Sequence, residues 1–94
     1  MAAKVNLLYE YMQKLTNNQK IVEVNGSTLE ESLNDLVKQF PEIKNAIFDK
    51  EGKLLHHILV YINKEIASFD PEPLNKPIED GDEILITLLL PAGG

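Results

Sequence analysis

The stretch from Thr28 to Pro41 constrains the fold more than any other part of the chain. Thr28 precedes an apolar stripe and Glu31 follows three residues later. That is the spacing of a capping box, in which the two side chains satisfy backbone N–H groups left unpaired at a helix start. Leu29, Leu33, Leu36, Val37 and Phe40 then recur at helical spacing and form one apolar stripe. Pro41 cannot continue the helix and biases Phe40 toward extended geometry, so the helix must stop there. A helix with a single apolar stripe has to lay it on something, and the remaining apolar segments read as strands.

Val5 to Met12 is rich in Val, Leu and Tyr, and alternation places Val5, Leu7, Tyr9 and Tyr11 on one face of an expected strand. Thr16-Asn17-Asn18 is a turn, and Lys20 to Val24 alternates again as the return strand of a hairpin. Asn25-Gly26-Ser27 breaks it. After the helix, Glu42 to Lys53 is irregular, with Ile43, Ala46, Ile47 and Phe48 expected in a short helical turn and Glu51-Gly52 in a tight turn. Ile58 to Asn63 is an apolar run of the kind covered on both faces. Asn63-Lys64-Glu65 is a turn, with Ile66-Ala67 a brief continuation. Pro71, Pro73 and Pro77 punctuate a loop, and Asp80-Gly81-Asp82 is a further turn. Ile84 to Leu90 is the last strand, and its six aliphatics in seven residues predict a central position covered on both faces. One helix across a mixed sheet of roughly four or five strands is an α+β roll.

Composition narrows the partners. The chain has 94 residues, a single domain by length. Its net charge is −6, and all nine cations are lysines spread singly along the chain. Nucleic-acid binding needs clustered Lys or Arg to release counterions, so no nucleic-acid partner is expected. No apolar run approaches a membrane span and the first residues carry no signal-peptide core. There is no cysteine, hence no disulfide framework and no thiolate metal site. The expectation is a cytoplasmic protein without a membrane partner, a monomer when free. Its acidity either steers it toward a basic protein partner or serves solubility alone.

The sequence finishes Leu90-Pro91-Ala92-Gly93-Gly94. Two readings of this ending are open. One is a frayed terminus, where small residues are common. The other is a slender probe, because glycine has no Cβ and lets backbone enter spaces closed to other residues. On the second reading residues 1–90 are the folded domain and 91–94 a flexible tail. Four extended residues from Pro91 to Gly94 would span about 14 Å.

Taken together, these segments resemble the ubiquitin-like β-grasp sulfur-carrier family, which includes the molybdopterin-synthase small subunit and the thiamin and cysteine-type sulfur carriers. Thr28-Leu29-Glu30-Glu31-Ser32-Leu33 followed by Phe40-Pro41-Glu42 is similar to the family helix and its proline stop. Val60-Tyr61-Ile62-Asn63 with Glu65-Ile66 resembles its central strand, asparagine turn and return. Ile78-Glu79-Asp80-Gly81-Asp82-Glu83-Ile84 resembles the turn before its last strand, and Gly93-Gly94 falls where the family ends. Each piece is common alone; their order and spacing make the set specific. Pro91 stands closer to the glycines than in most relatives.

The resemblance implies a β-grasp fold and a carrier that is a protein co-substrate rather than an enzyme. It implies that an E1-like enzyme uses ATP to adenylate the Gly94 carboxylate, and that sulfur transfer then gives a thiocarboxylate. No cofactor is expected on the carrier itself. The sulfur acceptor would be the molybdopterin-synthase large subunit or a cysteine-synthase-like enzyme, and the Phe48-to-His57 segment looks closer to these types than to the thiamin carrier. Pro91, Ala92 and Gly93 would thread the tail into a partner. For docking, alternation puts Leu88 and Leu90 on one face of the last strand and Leu89 on the other. Leu88 and Leu90 are the candidates, with both faces buried as the plain alternative. Phe69 is a second candidate, otherwise a packed loop anchor.

Other constellations carry little. His56-His57 would point to opposite faces of a strand and lack a third ligand. Ser27, Ser32 and Ser68 have no triad spacing, and Asp80, Asp82 and Glu83 fall short of a calcium loop. The competing functions are a ubiquitin-like modifier that forms isopeptide bonds with lysines, and a plain binding module.

Overall fold

The computed structural model describes residues 2–89. Five strands, β1 (Ala2–Leu7), β2 (Ile21–Asn25), β3 (Ile58–Ile62), β4 (Glu65–Ile66) and β5 (Glu83–Leu88), form one mixed sheet in the order β2-β1-β5-β3-β4. β1 and β5 run parallel at its centre, and every other pairing is antiparallel. β5 is central, as its aliphatic sequence predicts, but it is not covered on both faces: Ile84 and Ile86 are buried on one side, whereas Leu85 and Thr87 on the other are only half-buried.

Helix α2 (Leu29–Gln39) packs across one face of this sheet. The Thr28 hydroxyl accepts a hydrogen bond from the Glu31 N–H at 3.1 Å. The Glu31 carboxylate reaches back to the N–H of Ser27 at 2.7 Å, one residue earlier than a strict capping box would have it. Leu29, Leu33 and Leu36 are fully buried, while Val37 and Phe40 pack half-buried at the edge of the core. Gly26 is needed where β2 hands over to this helix, because a Cβ there would sit 2.6 Å from the Ser32 backbone nitrogen. The covered face of the sheet supplies Val5, Leu7, Val24, Val60, Ile84 and Ile86, all with no exposed surface. After α2, a 3-10 turn (Pro41–Ile43) and a one-turn helix α3 (Lys44–Ile47) bring Ile43 and Ile47 into the same core.

One element departs from expectation. The strand expected from Val5 to Met12 ends at Leu7, and residues Glu10–Leu15 form helix α1. Met12 of that helix is fully buried and Leu15 half-buried, one helical turn apart. Tyr9 and Tyr11 therefore do not share a strand face. Tyr9 precedes the helix and packs half-buried against the core, and Tyr11 is exposed, with ring centroids 5.8 Å apart. The β1–β2 hairpin still forms, closed through α1 and a turn in which Asn17 and Asn18 adopt φ of 55° and 64°. Asparagine tolerates that left-handed geometry better than most residues. The last strand is shorter than expected, ending at Leu88, and the brief strand after Asn63-Lys64 covers Glu65–Ile66.

Candidate functional site: the open sheet face and the end of the last strand

On the face of the sheet opposite α2, Leu59 is buried, Asn6, Tyr61, Leu85 and Thr87 are half-buried, and other positions are exposed. Strand register lays its side chains out in rows. At one end, Glu83, Lys4 and Glu23 stand side by side across β5, β1 and β2. The next row runs across all five strands: Ile66, Tyr61, Leu85, Asn6 and Ile21. Beyond it Leu59 faces Thr87, and Leu8 continues from β1 with its N–H bonded to the Ile86 carbonyl at 3.0 Å. The face thus changes from charged to apolar along β5, toward the end from which residues 90–94 continue. Leu8 is 57% exposed, Ile21 56% and Leu89 47%. Clustered exposed aliphatics of this kind are what partner surfaces are made of.

Past the end of β5, the Leu89 N–H donates to the His57 carbonyl at 2.8 Å and prolongs the β3–β5 pairing by one step. Leu88 pairs with Ile58 and packs half-buried against the core. The side chain turned to solvent is Leu89, so the exposed position of this strand is the alternate of the expected Leu88. Leu90, Pro91, Ala92, Gly93 and Gly94 lie outside the described residues. Phe69 is 67% exposed and so is not a packed loop anchor.

The opposite end of β5 is clamped. The Asn63 side chain donates to Asp82 at 2.9 Å and accepts from the Glu83 N–H at 2.9 Å. The Glu79 N–H donates to the second Asp82 oxygen at 2.7 Å. The Asn63 amide, followed by the Glu79 N–H, holds the Asp82 carboxyl below the ordinary range, because both stabilise its charged form. Asp49 is lowered in the same way, chiefly by the Lys53 N–H and also by that of Glu51, within the tight turn around Gly52. The Asn63–Asp82 clamp escaped sequence reasoning, since nothing in a one-dimensional pattern pairs residues nineteen positions apart.

His56 and His57 lie in a turn before β3 rather than on a strand, and both are exposed. Among the described residues there is no group of three or more His, Asp or Glu able to hold a metal ion. No helix among them is long and apolar enough to cross a membrane.

A mixed sheet with a parallel central pair, one principal helix across one face and a partly exposed opposite face defines a ubiquitin-like β-grasp protein. The chain belongs to the ThiS family, which it matches over residues 5–94. No curated protein matches its sequence. Among solved structures, it is similar to the Amycolatopsis orientalis BexX/CysO complex, with 29% identity over 98% of this chain and 99% of that one, and a TM-score of 0.84. It is similar to Mycobacterium tuberculosis CysO, described as an antigen, with 28% identity over 94% and 99% and a TM-score of 0.83. It also resembles the small archaeal modifier protein 1 of Methanosarcina acetivorans, with 25% identity over 99% and 95% and a TM-score of 0.79. The fold is therefore that of the ubiquitin-like sulfur carriers and modifiers.

Proposed function

We propose that the protein is a sulfur carrier whose reactive group is the Gly94 carboxylate. The observation that carries this reading is the ThiS family match, which runs through Gly93 and Gly94. The apolar face that leads to the root of the same tail supports it. A carboxylate is a poor electrophile until one oxygen leaves easily. An E1-like partner would let it attack the α-phosphorus of ATP, releasing pyrophosphate and forming an acyl-adenylate. A sulfide-class nucleophile then displaces AMP and leaves a terminal thiocarboxylate. The partner must exclude water from the acyl-adenylate, and a narrow channel admits only slim backbone. Gly93 and Gly94 meet that need, and Pro91 restricts the tail so that less order is lost on insertion. The body of the protein performs no chemistry in this scheme; its open face docks. The acceptor of the sulfur is a molybdopterin-synthase large subunit or a cysteine-synthase-like enzyme, and the carrier works in the cytoplasm.

A second reading, a protein modifier linked to lysines, is favoured by the likeness to an archaeal modifier protein. It shares the activation step and differs in the product. Intact mass measurement after incubation with the cognate activating enzyme, ATP and sulfide should show a gain of roughly 16 Da, sulfur for oxygen. Gly-Gly remnants on lysines of other proteins, with no such gain, would establish the modifier instead. Gly94→Ala should leave the fold intact and slow pyrophosphate release by about 100-fold, the scale of a misplaced reacting group. Undiminished release would overturn the tail-threading reading.

A further inference from the structure

A groove separate from the open face lies beside the root of the tail. Leu54, Leu55 and Ile58 form its apolar floor with a cavity of about 230 Å³, and Phe69 and His56 stand at its lip. It continues past Ser68 into a wider cleft between the Gly52 turn and the 3-10 turn Pro73–Asn75. There Glu30, Glu51 and Glu72 face the lining, against Lys53 as the one lysine. Nearby Lys76 is already engaged in an ion pair with Asp70. Phe69 has no packing role that would account for its place, being two-thirds exposed beside a floor of aliphatic side chains.

We propose that this groove receives a basic segment of a partner protein, with one apolar side chain set against Phe69 and the Leu54–Ile58 floor and its lysines or arginines against Glu30, Glu51 and Glu72. The charge of the cleft argues for that occupant over an acidic or neutral one, since opposite potentials steer and orient an encounter. An exposed aromatic side chain that a partner buries in an apolar pocket is a common form of binding hot spot. Position supplies the role. His56 lines the groove, and the carbonyl of the next residue, His57, holds the last described step of the strand before the tail. A segment seated here lies beside the point where the tail departs. That the partner is the enzyme acting on the tail rests on the carrier reading above; the groove and its ligand chemistry do not.

The test is a titration of the full-length ¹⁵N-labelled protein with a short peptide of four lysines around a central leucine. Saturable amide shifts centred on Leu54, His56, Ser68 and Phe69 are expected, weakening as salt screens the charges. Phe69→Ala should lower the affinity about tenfold, and Glu51→Gln with Glu72→Gln should remove most of the salt dependence. Absence of saturable shifts, shifts centred on Leu8, Ile21 and Leu85, or indifference to Phe69→Ala would each overturn the proposal. With the cognate activating enzyme, Phe69→Ala should raise KM about tenfold at unchanged kcat, the mark of lost binding alone. Unchanged KM with an intact peptide site would remove the tail-handling partner from the groove. The mass gain at Gly94 reports on the carrier reading independently of all of these.

Discussion

The two faces of the sheet are built from alternate residues of the same strands, and they answer to different demands. Toward α2, Ile84 and Ile86 are wholly buried; away from it, their neighbours Leu85 and Thr87 are half-buried, and Leu89 is exposed. A strand with both faces covered and a strand with one face covered and the other kept for a partner give the same sequence, an unbroken apolar run. The difference shows only in what lies over each face. On the α2 side, apolar side chains stabilise the monomer. On the open side they stay partly exposed, and in the proposed carrier they would be buried only by a partner.

Truncation on the covered face sets the upper end of the scale. Ile86→Ala should cost about 2–5 kcal/mol, the transfer of the lost methyl groups plus the cavity left behind. Ile86 is fully buried within the core cluster. Denaturant unfolding should show this as a lower midpoint at similar slope. A loss under 1 kcal/mol would mean that the core beneath α2 can collapse around the change, and that the two faces are less distinct than the burial suggests.

How far the sequence reveals this division varies along the chain. α2 was legible because its signals are local: Thr28 and Glu31 at its start, the stripe through Leu36, and Pro41 at its end. The central place of β5 was legible from its hydrophobicity. α1 was not, since Tyr9-Glu10-Tyr11-Met12 continues the alternation of β1, and six residues are too few for a helical period to show. Tertiary burial of Met12 decides the matter. The polarity of the open face needs strand register, because Ile66, Tyr61, Leu85, Asn6 and Ile21 come from five separate segments. The choice between Leu88 and Leu89 needed the same information. The terminal glycines were the clearest functional signal, and they are legible only as sequence.

A smaller effect should mark the charged end of the open face. Asp82 has its carboxyl held below the ordinary range by Asn63 and the Glu79 N–H. A lowered folded-state pKa contributes stability above the unfolded value, and this is lost as pH falls through the folded one. The stability gap between the wild-type protein and Asp82→Asn should therefore be widest near neutral pH and shrink as pH drops below roughly 4. Thermal unfolding at a series of pH values reads it. A gap that stays constant would show that geometry at the β3–β4 turn, and not the carboxylate charge, holds the start of β5.

The smallest expected stability change is the one that separates the faces most sharply. Ile21→Thr removes an exposed apolar side chain from the edge of the open face while keeping the β-branched shape a strand prefers. Surface changes of this kind usually stay within about 0.5 kcal/mol. Combined with Leu8→Gln, it removes the two most exposed aliphatic positions of that face without touching the core, the tail or the Phe69 groove. If the face docks the activating enzyme, KM for pyrophosphate release should rise about fivefold with kcat unchanged, since only binding common to ground and transition states is lost. Equal KM for variant and wild type would leave the Phe69 groove and the tail to account for docking. The apolar rows of the open face would then need another partner to explain why they stay uncovered.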